Sequence, residues 1–318
     1  MPTPRFTPLV AELPSTVPFV GPETQERARG APFRARIGAN ESVFGPSPKA
    51  VEAMAKAAAD AWKYCDPENH DLKQALAAFH RVKPENIAVG EGIDALLGYT
   101  VRLVTEPGSA IVTSAGAYPT FNFHVAGFGG RLVRVPYAGD RESPDALLDA
   151  ASREQARLIY FANPDNPMGS WWGAGDVQAM IERMPAGTLL ILDEAYSDTA
   201  PADAIPPLDV ANPGVLRYRT FSKAYGLAGM RIGYCIGEAG VIRSFDKIRN
   251  HFGVNRLAQA GALAALQDQD HLQGVLRRIL EAQSRIGDIA RANGLAALPS
   301  ATNFVAVDCG RDGAFAKR

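Results

Sequence analysis

After Pro84 the chain is punctuated by short apolar runs: Ile87–Val89, Ala110–Thr113, Leu132–Val135, Leu158–Phe161, Leu189–Leu192, Leu216–Tyr218 and Ile232–Ile236. They show little apolar–polar alternation, as suits strands buried on both faces. Most are separated by stretches long enough to hold a crossover helix. The pattern therefore predicts an α/β fold, a mostly parallel seven-stranded sheet with helices on both faces. Upstream, Ser47-Pro48 reads as an N-cap and first helical position, opening a helix that runs to about Trp62. A second helix begins near Asp71, where Leu72, Ala75, Leu76 and Phe79 fall at i, i+3, i+4 and i+7. Residues 1–35 are proline-rich and without period, and read as an irregular arm. From Glu238 to about Asn293 the pattern is mainly helical, and Asn303–Val307 reads as one more strand. The expected division is an arm over 1–35, a large domain over 36–250 and a smaller α+β domain over 251–318.

The length of 318 residues allows one large and one small domain. A formal net charge of -1 gives no electrostatic reason to expect nucleic acid or an anionic membrane as partner. The N-terminal stretch lacks a basic start followed by an apolar run, and no apolar run reaches the ~20 residues that cross a bilayer. Cys65, Cys235 and Cys309 are far apart and odd in number, so neither a disulfide framework nor zinc spacing follows. The histidines are scattered without metal-ligand spacing, so no metal site is expected. The expected compartment is the cytoplasm.

In sheets of this kind ligands gather at the carboxyl ends of the strands. Several polar residues sit just there. Asn166 follows one strand in NPDNPMG, Asp193 ends the next in LLILDEAY, and Lys223 follows another in RTFSKAYGLAGMRIGY, with Arg231 in the same motif. Tyr118 and the Gly92-Ile93-Asp94 turn follow two earlier strands. Each alone has an ordinary reading: a solvated lysine, a capping aspartate, a structural ion pair, a core aromatic, an Asn-Pro turn. The set, in its order, carries the argument.

Those three motifs together resemble the fold-type I pyridoxal-phosphate aminotransferases, most closely the histidinol-phosphate aminotransferase-like branch. The resemblance covers about residues 37 to 307. It implies a cofactor, pyridoxal 5'-phosphate, bound by the large domain, with Lys223 holding it as a Schiff base and shuttling the proton. It implies that Asp193 pairs with the pyridine nitrogen, that Asn166 and Tyr196 bond the ring hydroxyl oxygen, and that Tyr118 stacks on the ring. Arg231, Thr220, Ser222 and the helix opening at Gly92, Ile93 and Asp94 would cradle the phosphate. Tyr64 would reach the phosphate of a neighbouring subunit, so the resemblance implies a homodimer with shared sites. Asn40 and Glu41 match the segment closing over the amino-acid and 2-oxo-acid substrates, and Asn166 faces the substrate as well. This sequence departs from the usual pattern at Cys65, where proline is common, at Met168 for threonine, at Ile93 for serine or alanine, and through Gly38–Gly45.

Besides a catalytically silent scaffold, disfavoured because no cofactor residue is missing, two other readings compete. Gly90-Glu91-Gly92-Ile93-Asp94-Ala95 fits the dinucleotide fingerprint G-x-G-x-x-A, as in an NAD-binding dehydrogenase. The following strand, IVTS, carries no acidic residue to meet a ribose, and that reading leaves Lys223, Asp193 and Arg231 idle. A decarboxylase using the same cofactor on the same fold would share every cofactor residue. Finally, the chain stops at GRDGAFAKR, in what reads as the first turns of a helix. The small domain is thus expected to be incomplete, with the arginine that binds the substrate α-carboxylate in related enzymes lying beyond residue 318.

Overall fold

The computed structural model describes residues 4–15, 19–36 and 38–310. All seven expected strands form: β1 (Ile87–Gly90), β2 (Ala110–Ser114), β3 (Arg131–Val135), β4 (Leu158–Ala162), β5 (Leu189–Asp193), β6 (Val215–Thr220) and β7 (Gly233–Ile236). They make one sheet in the order β1-β7-β6-β5-β4-β2-β3. Strands β3, β2, β4, β5 and β6 are mutually parallel, and β7 runs antiparallel to both of its neighbours, β6 and β1. Register sets Asp193 opposite Ala162 on one side and Tyr218 on the other.

Alternation along the strands sends side chains to two helical layers. Tyr160, Ala162 and Ile191 face Leu96, Leu97 and Val101 of α5 (Gly92–Val104) and Phe121 and Val125 of α6 (Pro119–Gly127). Ile159, Phe161, Leu190 and Leu192 face α7 (Pro144–Glu154) and α8 (Ala174–Glu182) through Leu147, Leu148, Val177 and Met180. A third cluster joins β1 and β7 to α3 (Pro48–Ala58), α4 (His70–His80) and α10 (Arg256–Gln267). Each such fully buried aliphatic or aromatic side chain contributes about 1.5–3 kcal/mol relative to exposure. The short α9 (Ala239–Ser244) leads towards α10, and the long α11 (Gln269–Ala292) follows it.

Three sequence expectations need correction. Helix α3 ends at Ala58 rather than Trp62, because Asp60 and Ala61 close tight three-residue bonds to Ala57 and Ala58 instead of continuing the helical ladder. The strand expected over 303–307 shrinks to β9 (Val307–Asp308), paired with β8 (Ala296–Ala297). The hydroxyls of Ser300 and Thr302 instead donate to the Phe304 carbonyl, and such local bonds compete with a ladder. The arm holds two short helices, α1 (Pro8–Glu12) and α2 (Pro22–Arg29), each opened by its proline and neither burying a residue. The expected final helix falls on residues 311–318, outside the described residues.

Candidate active site

A cavity of about 220 Å³ opens at the carboxyl ends of β4, β5 and β6. Its walls include Glu41, Ile93, Asp94, Tyr118, Asn166, Asp193, Tyr196, Thr220, Ser222, Lys223 and Arg231, so most of the residues singled out in the sequence meet in one place. A wider cavity of about 410 Å³ lies at Lys73, Asp246 and Arg249 and gathers none of them.

Asp193 ends β5 with its side chain buried. Its Oδ1 accepts from the Ala195 amide at 2.9 Å and its Oδ2 from the Tyr160 hydroxyl at 2.7 Å. Burial raises its pKa, against the pull of those two donors and of the Lys223 charge. Tyr160, two residues before the end of β4, carries no signal of this role in the sequence. Among LIYFA it looks like one more core aromatic, and only its hydroxyl distinguishes it.

Lys223 follows β6 on a turn braced by Thr220, whose Oγ1 accepts from the Ser222 amide at 3.0 Å and faces the Ile232 carbonyl at 3.4 Å. Burial pulls the Lys223 ammonium down to about 8, the nearby Arg231 adding to the effect and Asp193 opposing it. Its Nζ donates to the Asn40 carbonyl at 3.3 Å and lies 5.4 Å from the centre of the Tyr196 ring. The Tyr196 hydroxyl accepts from Asn40 Nδ2 at 3.3 Å, and burial pushes its own pKa up. Asn303, unflagged by sequence, donates from Nδ2 to the same Asn40 carbonyl at 3.0 Å.

The other end of the cavity suits an anion. Gly92 opens α5 with φ +81°, and a Cβ there would lie 2.4 Å from Arg231 Nη2. The missing side chain lets the guanidinium stand against the free amides of the helix N-terminus. Arg231 is itself left-handed, φ 54°, and donates from Nη1 to the Ala228 carbonyl at 3.2 Å. Asp94 is turned to His124, whose Nε2 lies 3.1 Å from its Oδ1. The Asn166 loop is held from below: Asn163 bonds Trp172 and Ala204, and Asp165 accepts from Tyr137 and the Met168 amide. Tyr118 caps the start of α6, mostly buried, and burial raises its pKa. Asn40 and Gly92 stand just behind the wall, touching Lys223 and Arg231, whereas Tyr64 lies away from the cavity. It is 80% exposed, packed on Phe252 with ring centroids 5.0 Å apart.

A lysine with a lowered pKa, a fixed buried carboxylate and an anion cradle together can bond an aldehyde, hold a ring cation and anchor a phosphate. Residues 36–317 match the family described as aminotransferase class I and II. The histidinol-phosphate aminotransferase of Sinorhizobium meliloti, solved in complex with pyridoxal-5'-phosphate, superposes with a TM-score of 0.96 at 60% identity, over 99% of this chain and 85% of that one. Histidinol-phosphate aminotransferase 1 of Mesorhizobium japonicum is 36% identical over 294 residues, 90% of this chain and 80% of its own length. The aromatic amino acid aminotransferase of Nocardia farcinica is 33% identical over 307 residues, 95% of this chain and 83% of its own length.

Proposed function

The chain belongs to the aminotransferase class I and II family, and from that premise we propose which of its residues hold the cofactor and carry the transfer. It is a pyridoxal-phosphate-dependent aminotransferase of the histidinol-phosphate aminotransferase-like branch. It moves an amino group between an amino compound and a 2-oxo acid such as 2-oxoglutarate. We take histidinol phosphate and aromatic amino acids as the donors, supported by relatives that carry those names.

The donor set fits this cofactor on two counts: the cup that a Cβ at Gly92 would fill, and the lysine and carboxylate beside each other in the same cavity. When bound, pyridoxal phosphate supplies a protonated ring that withdraws electrons from the reacting carbon. Arg231, the α5 amides and Ser222 hold the phosphate, with Thr220 fixing Ser222. Asp193 keeps the ring nitrogen protonated, since an adjacent carboxylate favours the charged form. Asn166 and Tyr196 bond the ring hydroxyl oxygen, and Tyr118 covers the ring face. Lys223 bonds the cofactor through Nζ. Once displaced by the substrate amine, that Nζ would take the proton from the amino-bearing carbon and deliver it to C4′ of the cofactor, running the same shuttle in reverse for the 2-oxo acid. Asn40 and Glu41 close over the substrate.

The observation carrying these roles is the position of Lys223, its pKa drawn down to about 8 in the same cavity as Asp193 and Arg231. A homodimer is part of the proposal, supported by the exposed aromatic pair Tyr64 and Phe252, which lies outside this chain's own cavity. The cytoplasm is the proposed compartment, supported by three cysteines that stand free among the described residues. Incubating the enzyme with a panel of donors and 2-oxoglutarate tests the reaction. Glutamate should appear with the matching oxo product; carbon dioxide without glutamate would mean decarboxylation instead.

A further inference from the structure

We propose that Tyr160 is a positioning residue for the cofactor's ring nitrogen, acting through its hydrogen bond to Asp193. The proposal rests on the reading of Asp193 as the partner of that nitrogen. Tyr160 lies on β4 with its side chain on the face of the sheet turned to α5 and α6. The Phe121 ring stacks on it at 4.6 Å and 21°, so the phenol has no freedom to turn away. Its hydroxyl reaches Asp193 Oδ2 at 2.7 Å, and the Ala195 amide reaches Oδ1 at 2.9 Å. A carboxylate held at both oxygens cannot rotate, and its remaining lone pairs keep one direction.

The bond also decides charge. Buried carboxylates drift towards the neutral acid unless donors stabilise the anion, and Tyr160 is one of two fixed donors to Asp193 among the described residues. Burial and the negative charge of Asp193 raise the phenol's own pKa, so Tyr160 stays protonated and remains a donor. Removing this donor would make Asp193 more basic and draw the shared proton from the ring nitrogen towards the carboxylate. The ring would then be a weaker electron sink.

Tyr160→Phe keeps the stacked ring and the packed volume while deleting the hydroxyl. The test uses holoenzyme loaded with ring-15N pyridoxal phosphate and reads the nitrogen chemical shift beside kcat and cofactor affinity. We expect the shift to move from the pyridinium value towards the neutral one and kcat to fall roughly tenfold or more, as for a lost bond to a charged group. Cofactor affinity should change far less. Replacing Tyr160 with 3-fluorotyrosine, a stronger donor of the same shape, should move the shift the opposite way. Wild-type shifts in both variants would reduce Tyr160 to packing and overturn the proposal. Asp193→Asn separates the two layers: if it too leaves the shift unchanged, the reading of Asp193 has failed. If it abolishes the pyridinium signal while Tyr160→Phe does not move it, only the role of Tyr160 has.

Discussion

The Lys223 Nζ donates to the backbone carbonyl of Asn40 at 3.3 Å, and Asn40 turns that carbonyl inward by adopting a left-handed backbone at φ 52°. The same carbonyl receives Asn303 Nδ2 at 3.0 Å, so one acceptor ties the segment ahead of α3 to Lys223 and to the residues after β8. Non-glycine residues rarely take this conformation, and asparagine is the side chain that tolerates it best.

Asn303→Ala removes one of the two donors to that carbonyl. Losing a hydrogen bond worth about 0.5–1.5 kcal/mol should raise KM for the amino donor roughly two- to tenfold. Bound cofactor should stay at the wild-type level. Steady-state kinetics with a cofactor count by absorbance checks both parts; an unchanged KM would remove Asn303 from the site.

The depressed lysine predicts how cofactor capture depends on pH. Only the free amine attacks the aldehyde, and burial brings the Lys223 ammonium down to about 8 from an ordinary 10.5. The rate at which apoenzyme acquires visible absorbance should therefore rise with pH and level off above about 8. A rate still climbing past pH 10 would mark an ordinary, solvated lysine.

Gly92→Ala should damage the proposed phosphate cradle. The new Cβ would sit 2.4 Å from Arg231 Nη2, at a φ of +81° that side chains avoid. Strain of about 1–3 kcal/mol would weaken cofactor binding roughly five- to hundredfold. Titration of apoenzyme with pyridoxal phosphate measures this, and an unaltered Kd would show that the cradle is elsewhere.

Glu194 bears on stability rather than chemistry. Its buried carboxylate accepts from Arg219 at 2.9 Å and pairs with the buried Arg217. Burial alone would raise its pKa, but the two guanidinium groups outweigh it and hold the carboxyl below its usual 4.5. A lowered carboxyl pKa stabilises the fold above the ordinary value, and that contribution fades as pH falls through the folded one. Glu194→Gln should cost about 3–5 kcal/mol at neutral pH by leaving buried cations unpaired. It should also flatten the acid side of the stability curve. Urea unfolding at pH 7 and below pH 4.5 checks both.

Much of this arrangement is legible in the sequence because its causes are local. Uninterrupted apolar runs mark strands such as β4 and β5 covered on both faces, and polar residues just past them mark the cavity. Lys223, Asp193 and Arg231 stand in motifs that fix their neighbours. Tyr160 is not legible, because a hydroxyl at the end of a core aromatic gains meaning only from the strand register that brings it to Asp193. Asn303 is hidden for the same reason: its partner, Asn40, is a distant residue whose unusual backbone no pattern announces. The shortened β9 and the early end of α3 show side-chain and turn bonds winning over apolar periodicity.

Lys223 is the proposed anchor of the cofactor. Reducing the holoenzyme with borohydride fixes the cofactor to whichever amine bears it, and peptide mass spectrometry then reads the position. The pyridoxyl mass should appear on the peptide containing Ser222-Lys223-Ala224 and vanish in Lys223→Ala, with the fold retained. Its appearance on another lysine, or a Lys223→Ala enzyme that still traps the label and turns over, would put the cofactor on a different residue.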